Sequence, residues 1–318
     1  MKAVVVNKPG CSDVLELKDV PIPKIKKGWS IIKVKGFGIN RSEIFTREGK
    51  SPSVSFPIIL GIEVAGIIYK TTDELSLPVG KKVISIMGEM GREFNGSYAQ
   101  YVLIPNNQIY TIKTKLNWED LSAVPETYYT AYGSLKSLNL QNGDNLLIRG
   151  GTSGVGVAAI NLAKSSSKLI NITATTRFMK KRELLIGSGA KKVVLDHNYQ
   201  LQTKNKYDKI LDLIGPKTIF DSFIHLDKKG ILSQTGELGN QWNIERFDPI
   251  FDIPNDKYLT SFYSGDVDTN LLQGMFDFID EHSVSVKPNK VFKLNQIKEA
   301  HDYLSSKKSF GKVVISFL

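Results

Sequence analysis

Two textures of apolar and polar positions divide this chain. Residues 1 to about 115 carry short apolar runs broken by Pro, Gly and Asn, and 4–6, 30–34, 58–68, 82–86 and 98–104 read as strands. That spacing predicts a β-rich, barrel-like domain. Asn117 then stands before Trp118-Glu119-Asp120, a helix cap followed by acids that suit the positive end of a helix. A further helix is expected over 130–138. From Leu146 onward, apolar runs alternate with helix-length segments. The expected strands are 146–148, 169–173, 193–195, 209–213, 230–234 and 258–262, which is the pattern of a doubly wound parallel sheet. Residues 270–282 read as a helix. Asn295 reads as the cap of a final amphipathic helix with Leu294, Ile297, Ala300, His301 and Leu304 on one side, before a last strand at 313–317.

The stretch 145–164, NLLIRGGTSGVGVAAINLAK, joins an expected strand to an expected helix through glycines. Such a turn offers unpaired backbone N–H groups and the positive end of a helix dipole to a phosphate. Gly151 is assigned the tight turn and Gly156 the close approach of helix to sheet. Ser153 replaces the middle glycine of the usual GxGxxG, with Gly154 beside it. Gly151, Thr152, Ser153, Gly154, Val155 and Gly156 are thus candidate nucleotide contacts. At the end of the second strand an NAD site normally carries an acid for the ribose 2′-hydroxyl. This chain has Ala174-Thr175-Thr176-Arg177 there, followed by Lys180, Lys181 and Arg182. An acid would repel a 2′-phosphate, whereas Arg177 and a lysine attract it and threonine hydroxyls can donate to its oxygens. The alternative for 180–182 is a solvated helix face. Thr175, Thr176, Arg177 and Lys181 are assigned to the cofactor, which reads as NADPH. Gly215 and Gly236 complete the candidate binding set.

Composition narrows the class. A chain of 318 residues, 41% apolar and 23% charged, has room for two globular domains. A single cysteine, Cys11, excludes a disulfide framework and a multi-cysteine zinc lobe, and fits a reducing cytosol. The opening MKAVVVNKPG reads as a strand and turn and not as a signal peptide. The most apolar stretch, 58–69, is interrupted by Glu63, so a soluble cytoplasmic protein without a membrane span is expected. The net charge of +10 would help draw in an anionic cofactor. Its lysines are scattered without aromatic interleaving, so a solvated surface is expected and a nucleic-acid partner is not.

Several segments, taken in order, resemble one family. They are Gly38-Ile39-Asn40-Arg41-Ser42-Glu43, Arg47-Glu48-Gly49, Leu60-Gly61-Ile62-Glu63-Val64-Ala65-Gly66 and Asn95-Gly96-Ser97-Tyr98-Ala99-Gln100-Tyr101. The glycine turn, Leu211-Asp212-Leu213-Ile214-Gly215 and the 297–304 helix before Gly311-Lys312-Val313-Val314 follow. Together they resemble the medium-chain dehydrogenase/reductases, specifically the zinc-free quinone oxidoreductase (zeta-crystallin-like) branch, over nearly the whole chain. The resemblance implies an α/β fold: a GroES-like β-barrel catalytic domain from 1–122 and 267–318, and a Rossmann NADPH-binding domain, a doubly wound parallel sheet, from 123–266. It also implies that substrate and nicotinamide meet in the cleft, that the protein is a homodimer or a tetramer, and that 258–263 is the edge strand for dimer pairing.

The zinc-dependent relatives bind catalytic metal through a cysteine, a histidine and a second cysteine. The matching positions here carry Asn40, Ile62 and Glu126, so no metal is expected. Without a Lewis acid, the expected reaction is hydride transfer from NADPH to a quinone or another conjugated carbonyl. An enone, 2-alkenal or enoyl-thioester reductase is the near alternative. A non-catalytic NADPH- or RNA-binding role, as in some zeta-crystallin-like relatives, is the distant one. Asn40 is a candidate donor near substrate or nicotinamide, or else a turn asparagine. Thr130 is a candidate neighbour of the nicotinamide, or else a helix residue. Phe45 stands where many relatives have tyrosine, so Tyr128 or Tyr129 is the candidate proton donor, with packing as the alternative for either and solvent as the other source of the proton. Glu63 is expected in a structural hydrogen bond or ion pair. The four histidines show no metal or catalytic spacing.

Overall fold

The computed structural model describes residues 1–166 and 169–317. In chain order the first elements are β1 (Lys2–Val6), β2 (Leu15–Asp19), β3 (Trp29–Ile39), α1 (Arg41–Arg47), β4 (Ile58–Ile59) and β5 (Glu63–Lys70). Then come β6 (Lys82–Ile86), β7 (Tyr101–Pro105), β8 (Tyr110–Thr111) and α2 (Trp118–Ser122). Helix α3 (Pro125–Ser137) leads to β9 (Asn145–Arg149), α4 (Gly154–Ser165), β10 (Asn171–Thr176), α5 (Arg182–Ser188), β11 (Lys192–His197) and β12 (Gln200–Leu201). After these lie β13 (Tyr207–Asp212), α6 (Ile219–His225), β14 (Leu226–Gln234), α7 (Pro249–Asp252) and β15 (Tyr258–Thr260). The chain closes with α8 (Thr269–Glu281), β16 (Lys290–Phe292), α9 (Ile297–Ser305) and β17 (Val313–Ser316).

Two compact units share these elements. One comprises Met1–Thr127, Ser264–Asp280 and the chain from Val286 onward; the other comprises Tyr128–Tyr263 and Glu281–Ser285. In the first unit, β3 pairs antiparallel with β5, with β7 and with β17, so a strand from the far end of the sequence completes an N-terminal sheet. Its core is aliphatic and aromatic, with Val4, Ile32, Phe37, Val64, Tyr98, Ile297 and Val313 packed in one cluster. In the second unit the parallel strands run β11-β10-β9-β13-β14-β15, and β12 is added antiparallel at the β11 edge. In sequence terms that order is 3-2-1-4-5-6, the doubly wound Rossmann order. Strands covered on both faces need unbroken apolar runs, and Leu146, Leu147 and Ile148 of β9 are fully buried.

Local differences from the sequence expectations have physical causes. The expected strand 58–68 splits into β4 and β5 because Gly61, at φ +112°, turns the backbone between them. Residues 98–100 precede β7 instead of belonging to it: Tyr98 N donates to Leu60 O, across the sheet path. Asn295 is not a helix cap. It lies within a 3-10 turn, Leu294–Gln296, tied by Lys293 N donating to Gln296 Oε1, and α9 starts only at Ile297. Asn117 does cap α2, accepting from Asp120 N. Among the described residues, no helix is long and apolar enough to cross a membrane.

Candidate functional site

At the end of β9 the chain turns through the glycines. Gly150, at φ +84°, makes the left-handed turn, which corrects its assignment to Gly151. Gly151 serves by close approach instead: a Cβ there would stand 2.9 Å from Ala174 Cβ. A Cβ on Gly156 would stand 2.5 Å from Gly150 O, so the first turn of α4 can lie against the strand end only as glycine. Ser153 is the N-cap of α4. Its Oγ accepts from Gly156 N at 3.0 Å and donates to Gly150 O at 2.8 Å, which explains a serine in place of the usual middle glycine. Thr152 lies in the turn, and Gly154 and Val155 open α4, where helix geometry leaves backbone N–H groups without intrahelical acceptors.

The turn is braced from beneath. Arg149, fully buried, pairs with Asp196 at 2.8 Å and with Asp221 at 2.8 Å, tying β9 to β11 and α6. Thr175 Oγ1 accepts from Gly150 N at 3.0 Å. Thr176 Oγ1 donates to Phe178 O at 3.1 Å. Thr176 thus shapes the chain after β10, while Thr175 holds the glycine turn as an acceptor and keeps its own hydrogen for a donation such as the sequence suggested. The cations gather around one ring: Arg177 is exposed, Lys181 is buried, and each lies 5.9 Å from the Phe178 ring centroid. Burial lowers the Lys181 pKa, and the charges of Arg177 and Lys180 lower it further. An anion at this corner would relieve that repulsion. Gly215, at φ +110°, follows Asp212, whose Oδ1 accepts from Ile214 N and Gly215 N. Gly236 packs so closely that a Cβ would stand 2.2 Å from Leu213 O.

Asn40 belongs to a cluster in the first unit. Its Nδ2 donates to Glu63 Oε1 at 2.8 Å, and its Oδ1 accepts from Lys312 Nζ at 2.7 Å. Lys312 Nζ also pairs with Glu63 Oε1 at 2.6 Å, and Glu126 N donates to Glu63 Oε2 at 2.8 Å. Glu63 is thus the ion-pair residue expected. Glycine at 38 makes the room, because a Cβ there would stand 2.2 Å from Lys312 Cε and 2.4 Å from Glu63 Oε1. The backbone of Asn40 is held separately: Glu43 Oε2 accepts from Asn40 N and Glu43 Oε1 accepts from Ile62 N.

Behind Glu43 runs a buried relay absent from the sequence reading. Tyr98 OH donates to Glu43 at 2.9 Å, Tyr98 OH meets His301 Nε2 at 2.9 Å, and Arg47 Nη1 meets His301 Nδ1 at 3.2 Å. An arginine can only donate, so Nδ1 accepts and the ring proton sits on Nε2, facing the tyrosine oxygen. Burial raises the Glu43 pKa to about 7, against the lowering effect of its backbone N–H donors. Burial, then the charges of Arg47 and Arg41, lower the His301 pKa to about 3. The Tyr98 hydroxyl is pushed up by burial and by the Glu43 charge.

The remaining candidates divide. Tyr128 is corrected: it is buried and gives its hydroxyl hydrogen to Ser285 O at 2.8 Å, so it packs its unit together and is not aimed as a proton donor. Tyr129 packs edge-on against Phe262. Thr130 is buried in α3, with its carbonyl accepting from Ser134 Oγ. The positions matching zinc ligands in the relatives do not suit zinc. Ile62 has no donor atom, Asn40 Oδ1 already faces an ammonium, and Glu126 Oε1 accepts from Ser264 Oγ. A cavity of about 410 Å³ lies elsewhere in the first unit, lined by Trp29, Ile59, Phe94 and Tyr101 and by none of this cluster.

Comparison with known proteins agrees with this architecture. Residues 26–114 match the alcohol dehydrogenase GroES-like domain, and residues 188–315 match the zinc-binding dehydrogenase family. The chain belongs to the medium-chain dehydrogenase/reductase superfamily, within its quinone oxidoreductase-like family. Human quinone oxidoreductase is 30% identical over 223 residues, covering 69% of this chain and 64% of the human protein's own length. A tomato 2-methylene-furan-3-one reductase is 25% identical over 329 residues, covering 99% of this chain and 79% of that protein. The quinone oxidoreductase structure from Coxiella burnetii superposes with a TM-score of 0.84 at 22% identity, covering 100% of this chain and 99% of that one. It shares the fold, a GroES-like unit with a Rossmann-like sheet.

Proposed function

We propose that this chain is an NADPH-dependent, zinc-independent reductase of quinones or other conjugated carbonyls. The observation that carries this reading is the Asn40–Glu63–Lys312 cluster, which puts an amide and an ion pair where a catalytic metal would need ligands. Lacking a Lewis acid to stabilise an alkoxide, the site suits an acceptor that delocalises its own negative charge. NADPH, when bound, supplies the hydride. The chain's residues supply positioning. The 150–156 turn and the start of α4 offer N–H groups to a pyrophosphate, while Gly215 and Gly236 let two further loops lie close. Asn40 offers an N–H to the acceptor oxygen as charge develops there. With Tyr128 and Phe45 both unsuited, solvent supplies the final proton, since a hydroquinone or enolate anion needs no specialised acid. The test is NADPH oxidation against 1,4-quinones, enones, 2-alkenals and simple aldehydes, with a chelator present throughout. Turnover of quinones or enones, undiminished by the chelator, is expected. Loss of activity in the chelator, or turnover of simple aldehydes alone, contradicts the proposal.

Arg177 and Lys181 support NADPH over NADH, because cations crowd the end of β10 where an NAD site carries an acid. Arg177→Ala is expected to raise the Kd for NADPH by about 10-fold or more, the scale of a lost charge-assisted contact, with little change for NADH. Equal losses for both cofactors would remove Arg177 from the phosphate corner. We further propose a homodimer through β15, an edge strand flanked by the exposed side chains of Ile250, Phe251 and Tyr258. Sedimentation should give twice the chain mass, falling to one chain mass in Ile250→Asp/Phe251→Asp; an unshifted dimer places the interface elsewhere.

A further inference from the structure

We infer that Lys312 and Glu63 are positioning residues that lock the Asn40 carboxamide in one orientation, so that the site presents a hydrogen-bond donor and never an acceptor. This rests on the proposed reading that Asn40 faces the acceptor substrate. A carboxamide has two faces of opposite character, and nothing in asparagine itself chooses between them. Here Oδ1 meets the Lys312 ammonium at 2.7 Å and Nδ2 meets the Glu63 carboxylate at 2.8 Å. The reversed amide would set N–H against ammonium and carbonyl against carboxylate. Each of the two charge-assisted bonds lost that way lowers its population about tenfold or more.

The two ions are themselves immobilised. Glu63 is fully buried and its second oxygen is held by Glu126 N, while the Lys312 side chain is 5% exposed. Asn40, by contrast, is half-buried. Its Nδ2 carries two hydrogens, and Glu63 Oε1 is the one acceptor it meets among the described residues. The second N–H is left for a ligand. An ammonium on the carbonyl oxygen also draws electron density from the amide nitrogen, which strengthens that N–H as a donor. The ligand class follows: a neutral carbonyl or quinone oxygen that becomes anionic during reduction. A substrate offering a hydroxyl to Asn40 as donor finds no acceptor.

The experiment is a mutant cycle on an enzyme first shown to oxidise NADPH with 1,4-benzoquinone or, failing that, with an enone or 2-alkenal; no turnover with any of these refutes the functional reading and, because the inference rests on it, the inference as well. Lys312→Met alone would strand a buried carboxylate and threaten folding. The pair Lys312→Met/Glu63→Gln removes both charges, retains an acceptor for Glu126 N and leaves Asn40 free to adopt either face. The pair is expected to lower kcat about 10- to 100-fold, the range for a lost or misaimed oxyanion donor, with the Kd for NADPH within twofold of the unmodified chain. Asn40→Ala is expected to lower kcat at least as far, and adding the pair to Asn40→Ala should lower it no further. Multiplied losses in the combined variant would mean that the ions act independently of Asn40. That result, unchanged kcat in the pair, or a loss confined to NADPH binding would each overturn the inference.

Discussion

Gly156→Ala is expected to raise the Kd for NADPH by about 100-fold while leaving the first unit folded. The added Cβ would stand 2.5 Å from Gly150 O and 2.8 Å from the Gly151 backbone, distances real Cβ atoms do not adopt. Neither neighbour can swing away. Gly150 N is held by Thr175 Oγ1, and Gly150 O accepts from both Ser153 N and Ser153 Oγ. The start of α4 and the turn must therefore part, and an error of about 1 Å in a positioning element costs on the order of 100-fold. Gly187→Ala in α5 is the control. Beyond its own helix backbone and chain neighbours nothing lies within 4 Å of its Cβ position, so a gain of about 0.5–1 kcal/mol in helix stability and unchanged NADPH binding are expected. Fluorescence titration of NADPH and thermal melting of both variants read the result. Binding within threefold in Gly156→Ala would mean that this turn does not hold the cofactor.

His301→Gln is expected to turn a nearly flat pH dependence of stability in mild acid into one that falls as pH rises. In the folded state the His301 pKa is lowered to about 3 from 6.5, so the folded chain keeps the ring neutral where the unfolded chain protonates it. That contribution is complete above about pH 6.5 and is lost as pH falls toward 3, by up to about 1.4 kcal/mol per pH unit. Glu43 acts in the opposite sense. Its pKa is raised from 4.5 to about 7, so its contribution is complete below about 4.5 and is lost as pH rises through 7. Between 4.5 and 6.5 the two slopes oppose each other, and the unmodified relay gives little net pH dependence. Glutamine keeps a donor for Tyr98 and an acceptor for Arg47 but cannot titrate, so only the Glu43 slope remains. Arg47, Arg41, Tyr98 and the Glu63–Lys312 pair, the other charged or titratable neighbours, stay as they are. Guanidinium denaturation at pH 5, 6 and 7 should show the variant losing stability with rising pH relative to the unmodified chain. Parallel curves would show that His301 does not titrate as its burial implies.

Local features of this molecule were legible in the sequence and distant pairings were not. The parallel sheet announces itself by apolar runs at helix-length spacing, and the glycine turn by its position between β9 and α4. Arg177 is readable because its place at the end of β10 needs no tertiary information. Which of two adjacent glycines turns the chain is decided by a backbone angle, and composition cannot tell Gly150 from Gly151. Tyr128 looked available because sequence does not show that Ser285 O would take its hydrogen. Lys312 meets Asn40 across 272 positions, Arg47 meets His301 across 254, and Tyr98 meets His301 across 203, so no window along the chain contains either cluster. One signal was present. Gly36 and Gly38 inside β3 mark places where something else must come close, and at Gly38 that something is the Lys312–Glu63 pair.

The pairing of β17 with β3 also sets a schedule for biosynthesis. Asn40 and Glu63 leave the ribosome early, and Lys312 follows Glu63 by 249 residues. The second unit, Tyr128–Tyr263 with Glu281–Ser285, emerges in between and is complete before Lys312 is made. Until residues 313–316 arrive, positions 36–39 of β3 lack their antiparallel neighbour, and Glu63 has no cation to justify its burial. A chain stalled before Lys312 would therefore hold every element of the second unit while the sheet of the first unit keeps an open edge, a form exposed to chaperones and proteases. Of the strands described, β17 is translated last, and it is the one that closes the far edge of β3.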